Sequence, residues 1–498
     1  MGTSDIEAAS EAKPVGSPET HPHSQETGVM MEITSSLTDE QVFDKAVLST
    51  SALFGLQEDT HLTGNQYSLV GSISAIAQLA WQPFSAWLIV KVPPRILMPA
   101  MILGWGIAEA SIAGCHSFPT LLTARFFLGL FEAGCLPLFT YLTGIWYRRS
   151  EQPLRIAIWN GMNGISTIAA AAISYGLGHI ESELLRPWQI IFLFAGLLTI
   201  VSAPIVYWKL DNDISVARFL TEEEQLLGIE RLRVNQTGEI SHEFKWSHVI
   251  EVALEPKSWL WVGMVILPNM GSGMTGVFGT LIIKGFGFDK FQTSLLNIPF
   301  GAMQTIVILL SCWAATKAKL KSVVLIAFTI PAIVGTAMLY GLNRSAADRP
   351  ALLVAYYLCA CLFAGNPLIL AWAIGNTAGA TKKSTMLSFI QAGVSAGALS
   401  GPLLFTSEQA PKYLPGIRAV LGIFIALIGA AVIQLLNLMF LNKQQRKKRI
   451  ANGKSGDVVD ESMQTSVNTT SKGQMQALEE VVALDLTDRE NDQFVYLY

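Results

Sequence analysis

The sequence predicts an all-α polytopic membrane protein, and three observations carry that prediction. Hydrophobic residues fill 51% of the 498 positions and charged residues only 14%, against roughly a quarter charged in an average soluble protein. Eleven apolar runs recur along the chain, each near the ~20 residues that a helix needs to cross a hydrocarbon core of ~30 Å. The runs are continuous and rich in Leu, Ile, Ala and Gly, whereas a membrane β-barrel shows short alternating strands.

In chain order, residues 1–40 form a polar, aromatic-poor tail that reads as disordered. Residues 41–209 hold the first transmembrane half, with apolar runs at 66–90, 96–115, 119–143, 156–179 and 188–209. Ahead of them stands only a short apolar patch at 46–56, with Asp44 and Lys45 directly upstream. That patch is too short and too polar to span, so the first helix of this half is truncated or missing. Residues 210–257 are a polar central loop. The second half, 258–442, carries runs at 258–283, 291–313, 321–341, 349–372, 384–407 and 417–442, and the tail 443–498, which opens on "KQQRKKR", is polar and low in aromatic content and reads as disordered.

Lys and Arg divide the connecting segments into two sets. Lys91 and Arg95, Arg148, Arg149 and Arg155, the central loop, Lys317, Lys319 and Lys321, Lys382 and Lys383, and the run at 443–449 all fall on one side, and the alternate loops are poor in basic residues. The rich side is expected to be cytoplasmic, with the C-terminal tail on it. Eleven spans then leave residue 66 and everything before it outside.

Several stretches together, "FDKAVLSTSALFGLQEDTHLTGNQYSLVGS", "RFFLGLFEAGCLP", "WYRRSEQPLRIAIWNGMNG" and "RPWQIIFLFAGLLTI", resemble the fungal anion:cation symporters of the allantoate permease type, within the major facilitator superfamily. The resemblance runs from about residue 43 to 442. It implies two six-helix bundles enclosing a midplane site, with one helix short here. In relatives the Asp-Lys pair closes a full first helix, whereas here "MEITSSLTDEQV" precedes it. The loop "KVPPR" also lacks the acidic residue of the superfamily signature.

Within "ARFFLGLFEAGCLP" the residues Arg125 and Glu132 are seven apart, close to two helical turns, so they share a face. Arg125 lies near enough to one end to snorkel, while Glu132 lies near mid-membrane, where a charge costs at least ~2.5 kcal/mol unless it is neutralised or faces a cavity. A structural ion pair is the competing reading of Glu132. Amides inside other runs, Gln78, Asn160, Asn163, Asn269, Asn297, Asn366 and Gln391, either line the same path or bond across helix contacts, worth about 0.6 kcal/mol each in membranes. Asn160 and Asn163 share a face at i, i+3. Arg125 suits a carboxylate, and Glu132 or Asp44 suits a transported proton.

The five cysteines sit in apolar runs without CxxC spacing and read as small hydrophobes, and no phosphate-cradling loop or nucleophile elbow occurs. The expectation is therefore a non-enzymatic secondary transporter without cofactor or metal. Its partners are a small organic anion, protons and the lipid bilayer, with no nucleic acid, and it is expected as a monomer of the plasma membrane. The resemblance implies substrates such as allantoate, ureidosuccinate, nicotinate or other vitamins, without choosing among them. An exporter of a secondary metabolite on the same fold, and a non-transporting sensor or inactive paralogue lacking the first helix, remain as alternatives.

Overall fold

A computed structural model describes residues 47–135, 152–180, 182–212, 217–218, 220–226, 245–318, 320–455, 486–492 and 494–498, with single positions at 138, 139, 142 and 146. Among these residues there is no strand. The first half comprises α1 (Gln66–Lys91), α2 (Pro94–Ile112), α3 (Phe118–Glu132), α4 (Gln152–Leu177) and α5 (Pro187–Lys209). A nine-residue helix, α6 (Trp246–Leu254), precedes the second half: α7 (Pro256–Gly276), α8 (Asn297–Ala318), α9 (Lys321–Gly341), α10 (Arg349–Leu358), α11 (Gly365–Gly375), α12 (Ala380–Ser400) and α13 (Leu414–Ala451). Seven helices among the described residues are long and apolar enough to cross a membrane, and α1, α3, α4 and α7 coincide with four more of the apolar runs. One protein-wide pattern sets where the helices start. Pro occupies N1 or N2 of α2, α3, α5, α7, α10 and α13, where its missing N–H costs nothing. Lys91, Lys209 and Lys317 close α1, α5 and α8 in their last turns, complementing the helix dipoles.

Within the first half α2 packs on α5 and α3 lies against both α1 and α2. Glycines set the spacing: an added Cβ at Gly196 would lie 2.8 Å from Ala110 Cα, and one at Gly106 would lie 2.9 Å from Ile200 N. In the second half α7 packs on α12 and α13, and α9 on α13. The helix beginning at α10 loosens into 3-10 turns at Cys359–Ala364 before resuming as α11, which carries Pro367 in its first turn.

The halves meet along two seams, α4 on α8 and α1 on α12. Their hydrogen bonds concentrate away from the end that carries Lys91, Lys257, Lys321 and Lys382, termed here the basic end. Tyr67 Oη donates to Val277 O at 3.0 Å, Ser68 Oγ donates to Phe405 O, and Ser294 Oγ donates to Ala171 O at 2.9 Å. The described seams are therefore zipped at the opposite end.

At that zipped end residues 47–53 are helical. Gly55 follows at φ 100, a backbone that side-chain-bearing residues rarely adopt, and the single turn Leu56–Asp59 ends the segment. The segment is buried. Ser49 Oγ meets Thr280 Oγ1 at 2.9 Å, Ser174 Oγ donates to Thr50 Oγ1 at 3.0 Å, and Trp188 Nε1 donates to Asp59 Oδ2 at 2.8 Å. This short piece thus ties α4, α5 and the short helix Gly279–Lys284 together.

The tail beyond 442 differs from its expected disorder. Helix α13 continues to Ala451, and residues 486–492 and 494–498 lie folded against the basic end of the second half. The low-aromatic composition of the whole tail masks the apolar, aromatic close "FVYLY" that packs there.

Candidate functional site

The buried face of α3 consists of Leu121, Arg125, Leu128, Gly129 and Glu132, so the seven-residue spacing does aim both charges inward. Arg125 is 3% exposed and Glu132 4%. The face presses on α1 at Gly129, where an added Cβ would lie 2.8 Å from the carbonyl carbon of Ser74. One turn away Ser74 Oγ donates to Arg125 O at 3.3 Å. Ser74 shares α1 with Tyr67, which bridges to the second half through Val277 O. The cation therefore sits beside a seam between the halves.

The neighbouring α2 adds a carboxylate that the sequence reading passed over: Glu109, fully buried three residues before the end of that helix. Its signal was present as an acidic residue inside the apolar run 96–115. Arg125, Glu132 and Glu109 thus place one buried cation and two buried carboxylates on two helices that pack on each other.

The amides divide into three groups. Asn269 and Asn366 form a reciprocal pair between α7 and α11, with Asn269 Nδ2 donating to Asn366 Oδ1 at 2.9 Å and Asn366 Nδ2 returning to Asn269 Oδ1 at 3.2 Å. Asn297 bonds locally, to Thr293 O at 3.1 Å, and accepts from Tyr356 Oη at 3.3 Å. These three are mutually satisfied and lie apart from Arg125. Asn160 and Asn163 stand on α4 at the seam with α8, where Asn163 Nδ2 donates to Asn160 O at 2.7 Å and Thr167 Oγ1 donates to Gln304 Oε1 across the halves at 3.4 Å. Gln78 on α1 and Gln391 on α12 are partly exposed and have no side-chain hydrogen bond among the described residues. They sit midway along the helices of the other seam. Asp44 and Lys45 lie outside the described residues.

A cleft of about 640 Å³ opens at the zipped end, lined by Gln57, Glu58, His61, Lys284 and Tyr413 among others. It does not include Arg125 or Glu132. Among the described residues no three His, Cys, Asp or Glu side chains cluster as metal ligands. The cysteines are free thiols, four of them buried.

Comparisons with known proteins agree with this architecture. The family model described as Major Facilitator Superfamily matches residues 41–402. An uncharacterized transporter of Schizosaccharomyces pombe is 31% identical over 94% of this chain and 85% of its own. A thiamine pathway transporter of Saccharomyces cerevisiae is 30% identical over 91% and 82%, and the allantoate permease of the same yeast is 28% identical over 92% and 82%. Among solved structures, a bacterial homolog of the human lysosomal transporter Spinster, inward-facing and unoccupied, superposes with a TM-score of 0.61 at 16% identity, covering 82% of this chain and 96% of that one. The nucleoside transporter NupG gives 0.57 at 13% identity, over 82% and 99%. With two helical halves, two seams between them and relatives matched over nearly the full length, the chain belongs to the major facilitator superfamily and is a multi-pass secondary transporter of the membrane.

Proposed function

We propose that this transporter takes up a small organic anion together with protons across the plasma membrane, with the basic end cytoplasmic. The observation that carries the reading is the inward face of α3, where Arg125 and Glu132 are both buried within a membrane helix. A guanidinium offers a carboxylate two parallel N–H donors, and a membrane-buried carboxylate is costly unless it titrates or is paired. Arg125 binds the anion; Glu132 takes up and releases the coupling proton. Gln78 and Gln391, together with Asn160 and Asn163, line the route between the halves. Asn269 and Asn366, bonded to each other, and Asn297, bonded to Thr293 and Tyr356, hold the second half together rather than touching cargo. Asp44, with Lys45 beside it in the sequence, is the alternative carrier of the coupling proton. The allantoate permease among the relatives supports an anionic cargo.

Uptake of labelled carboxylates as a function of external pH tests this. Glu132→Gln keeps shape and removes the titrating group, so pH-driven accumulation is lost while surface expression stays normal. Arg125→Lys keeps the charge without the planar fork and fails as well. Normal pH-dependent uptake by Glu132→Gln removes that residue from the coupling role. A second reading, a non-transporting paralogue, is favoured by one feature of the sequence: only the short apolar patch 46–56 stands ahead of the run 66–90. Binding of a carboxylate without its accumulation would select that reading.

A further inference from the structure

At the basic end, the second half carries a groove that the chain fills with its own residues 486–498. Asp488 is fully buried there between two lysines, Lys257 at the start of α7 and Lys382 at the start of α12, the latter 2.8 Å away. Lys382 is also held at 2.8 Å by Glu251 of α6 and by Glu255. Two asparagines then read the backbone of the segment at both of its polar groups. Asn376 accepts from Leu497 N at 2.7 Å and donates to Leu497 O at 3.1 Å, with Trp372 Nε1 donating to the same carbonyl at 2.9 Å. Asn442 accepts from Tyr496 N and donates to Tyr496 O, each at 2.9 Å. Lys321 N donates to Tyr498 O at 2.8 Å, and Tyr496 Oη donates to Asp488 Oδ2 at 2.8 Å.

Side-chain amides that bracket single peptide units fix one register of an extended strand, and a carboxylate buried between two cations anchors it. This is how a surface recognises a peptide rather than how helices pack. The groove is built by α7, α9, α11 and α13, and α7 with α13 and α9 with α13 already pack directly on one another. Helix α11 also packs on α7 and α9, and Lys257 Nζ donates to Asn376 O at 3.1 Å; the segment adds a further set of bonds at the end of α11, the piece that resumes after the 3-10 break at Cys359–Ala364 and that leads through Asn376 to α12, one of the two seam helices.

We propose that residues 486–498 are a detachable autoinhibitory latch, docked in a peptide-binding groove of which Asp488 is the anchor. While docked, the latch pins the α11–α12 connection to α7, α9 and α13 and slows the exchange between the two arrangements of the halves. Undocking frees that connection and speeds exchange.

The test needs no substrate and so stands apart from the anion reading. A protease site is inserted between residues 456 and 485, so that the full chain folds with its latch before being cut in detergent. Exchange is read as thiol labelling of Ser68→Cys, a position 1% exposed at the zipped end, corrected for labelling of the chain with Ser68 intact. Cutting should release the segment on dilution and raise the labelling rate severalfold, and a synthetic peptide of residues 486–498 should restore the slow rate. The same peptide carrying Asp488→Asn should bind at least tenfold more weakly. Asp488→Asn in the uncut chain should label faster than the parent. A segment that stays bound after cutting, or labelling that is unaffected by its loss, overturns the latch and leaves a purely structural strap.

Discussion

Gly164→Ala should loosen the zipped end of the molecule. Gly164 lies on the α4–α8 seam, where an added Cβ would fall 2.7 Å from Thr305 N and nearer still to Gly301 O. Both atoms are backbone, so neither can rotate away, and α8 must recede from α4 by roughly 1 Å to reach ordinary contact. Overpacking of this kind costs about 1–3 kcal/mol, borne only by the arrangement in which the seam is closed. A penalty confined to one of two states shifts their ratio by roughly 5- to 150-fold toward the other. The Ser68→Cys labelling rate measures the shift directly, because Ser68 is buried by the contact with Phe405 across the halves. The expected result is a rise of at least fivefold with normal expression and an unchanged melting profile beyond a few degrees. An unchanged labelling rate in well-folded protein would show that the α4–α8 contact is shared by both arrangements, and would refute a seam that opens.

Two further outcomes follow from charge. In the docked segment, burial pushes Asp488 up, but Lys257 and Lys382 outweigh it and hold the carboxyl below its ordinary 3.8. Asp492 is held below 3.8 as well, first by the hydrogen bond from Asn452 and then by Lys454. Burial raises Glu255 above its ordinary 4.5, with Asp488 adding to the rise and Lys257 and Lys382 only partly offsetting it. A depressed carboxyl contributes docking that is complete above its free value and is lost as pH falls through its docked value. Glu255 protonates earlier and merely relieves repulsion with Asp488, while Glu251, Tyr496, Lys448 and Arg449 complete the surroundings. The cut segment should therefore stay bound from pH 7 to about 5 and leave only below its ordinary 3.8; release near pH 6 on size exclusion would contradict this. The second outcome concerns topology: an epitope at residue 2 should be labelled on intact cells, because the chain before α1 carries few basic residues to oppose its translocation. Labelling only after permeabilisation overturns the eleven-span arrangement.

The helical framework was legible because membrane helices announce themselves by length and apolarity. The common face of Arg125 and Glu132 was legible because it depends only on helical periodicity within one segment. What those charges adjoin was not, since it is decided by which helices pack: Ser74, which donates to Arg125 O, lies 51 positions upstream in the sequence, and Glu109 drew no notice as one acidic residue in an apolar run. The amides illustrate the same limit. Nothing local distinguishes Asn269, committed to Asn366, from Gln391, which is partly exposed. The docked segment was hidden for a different reason, because composition averaged over the tail describes a disordered chain, while the structure depends on a handful of its residues, Asp488, Tyr496 and Leu497 above all.

The last helix has a mechanical consequence. At 38 residues, α13 is about 57 Å long at ~1.5 Å per residue, nearly twice a ~30 Å hydrocarbon core. Its far stretch stands clear of the bilayer like a cantilever, with Gln445 and Arg449 turned under the docked segment and Lys443, Arg446 and Lys447 turned outward. A tilt of about 5° at the root of such a beam sweeps its tip through roughly 5 Å, far more than any of the hydrogen bonds fastened to it can stretch. So long as those fasteners hold, the beam cannot swing alone, and the four helices that meet under it turn as one block.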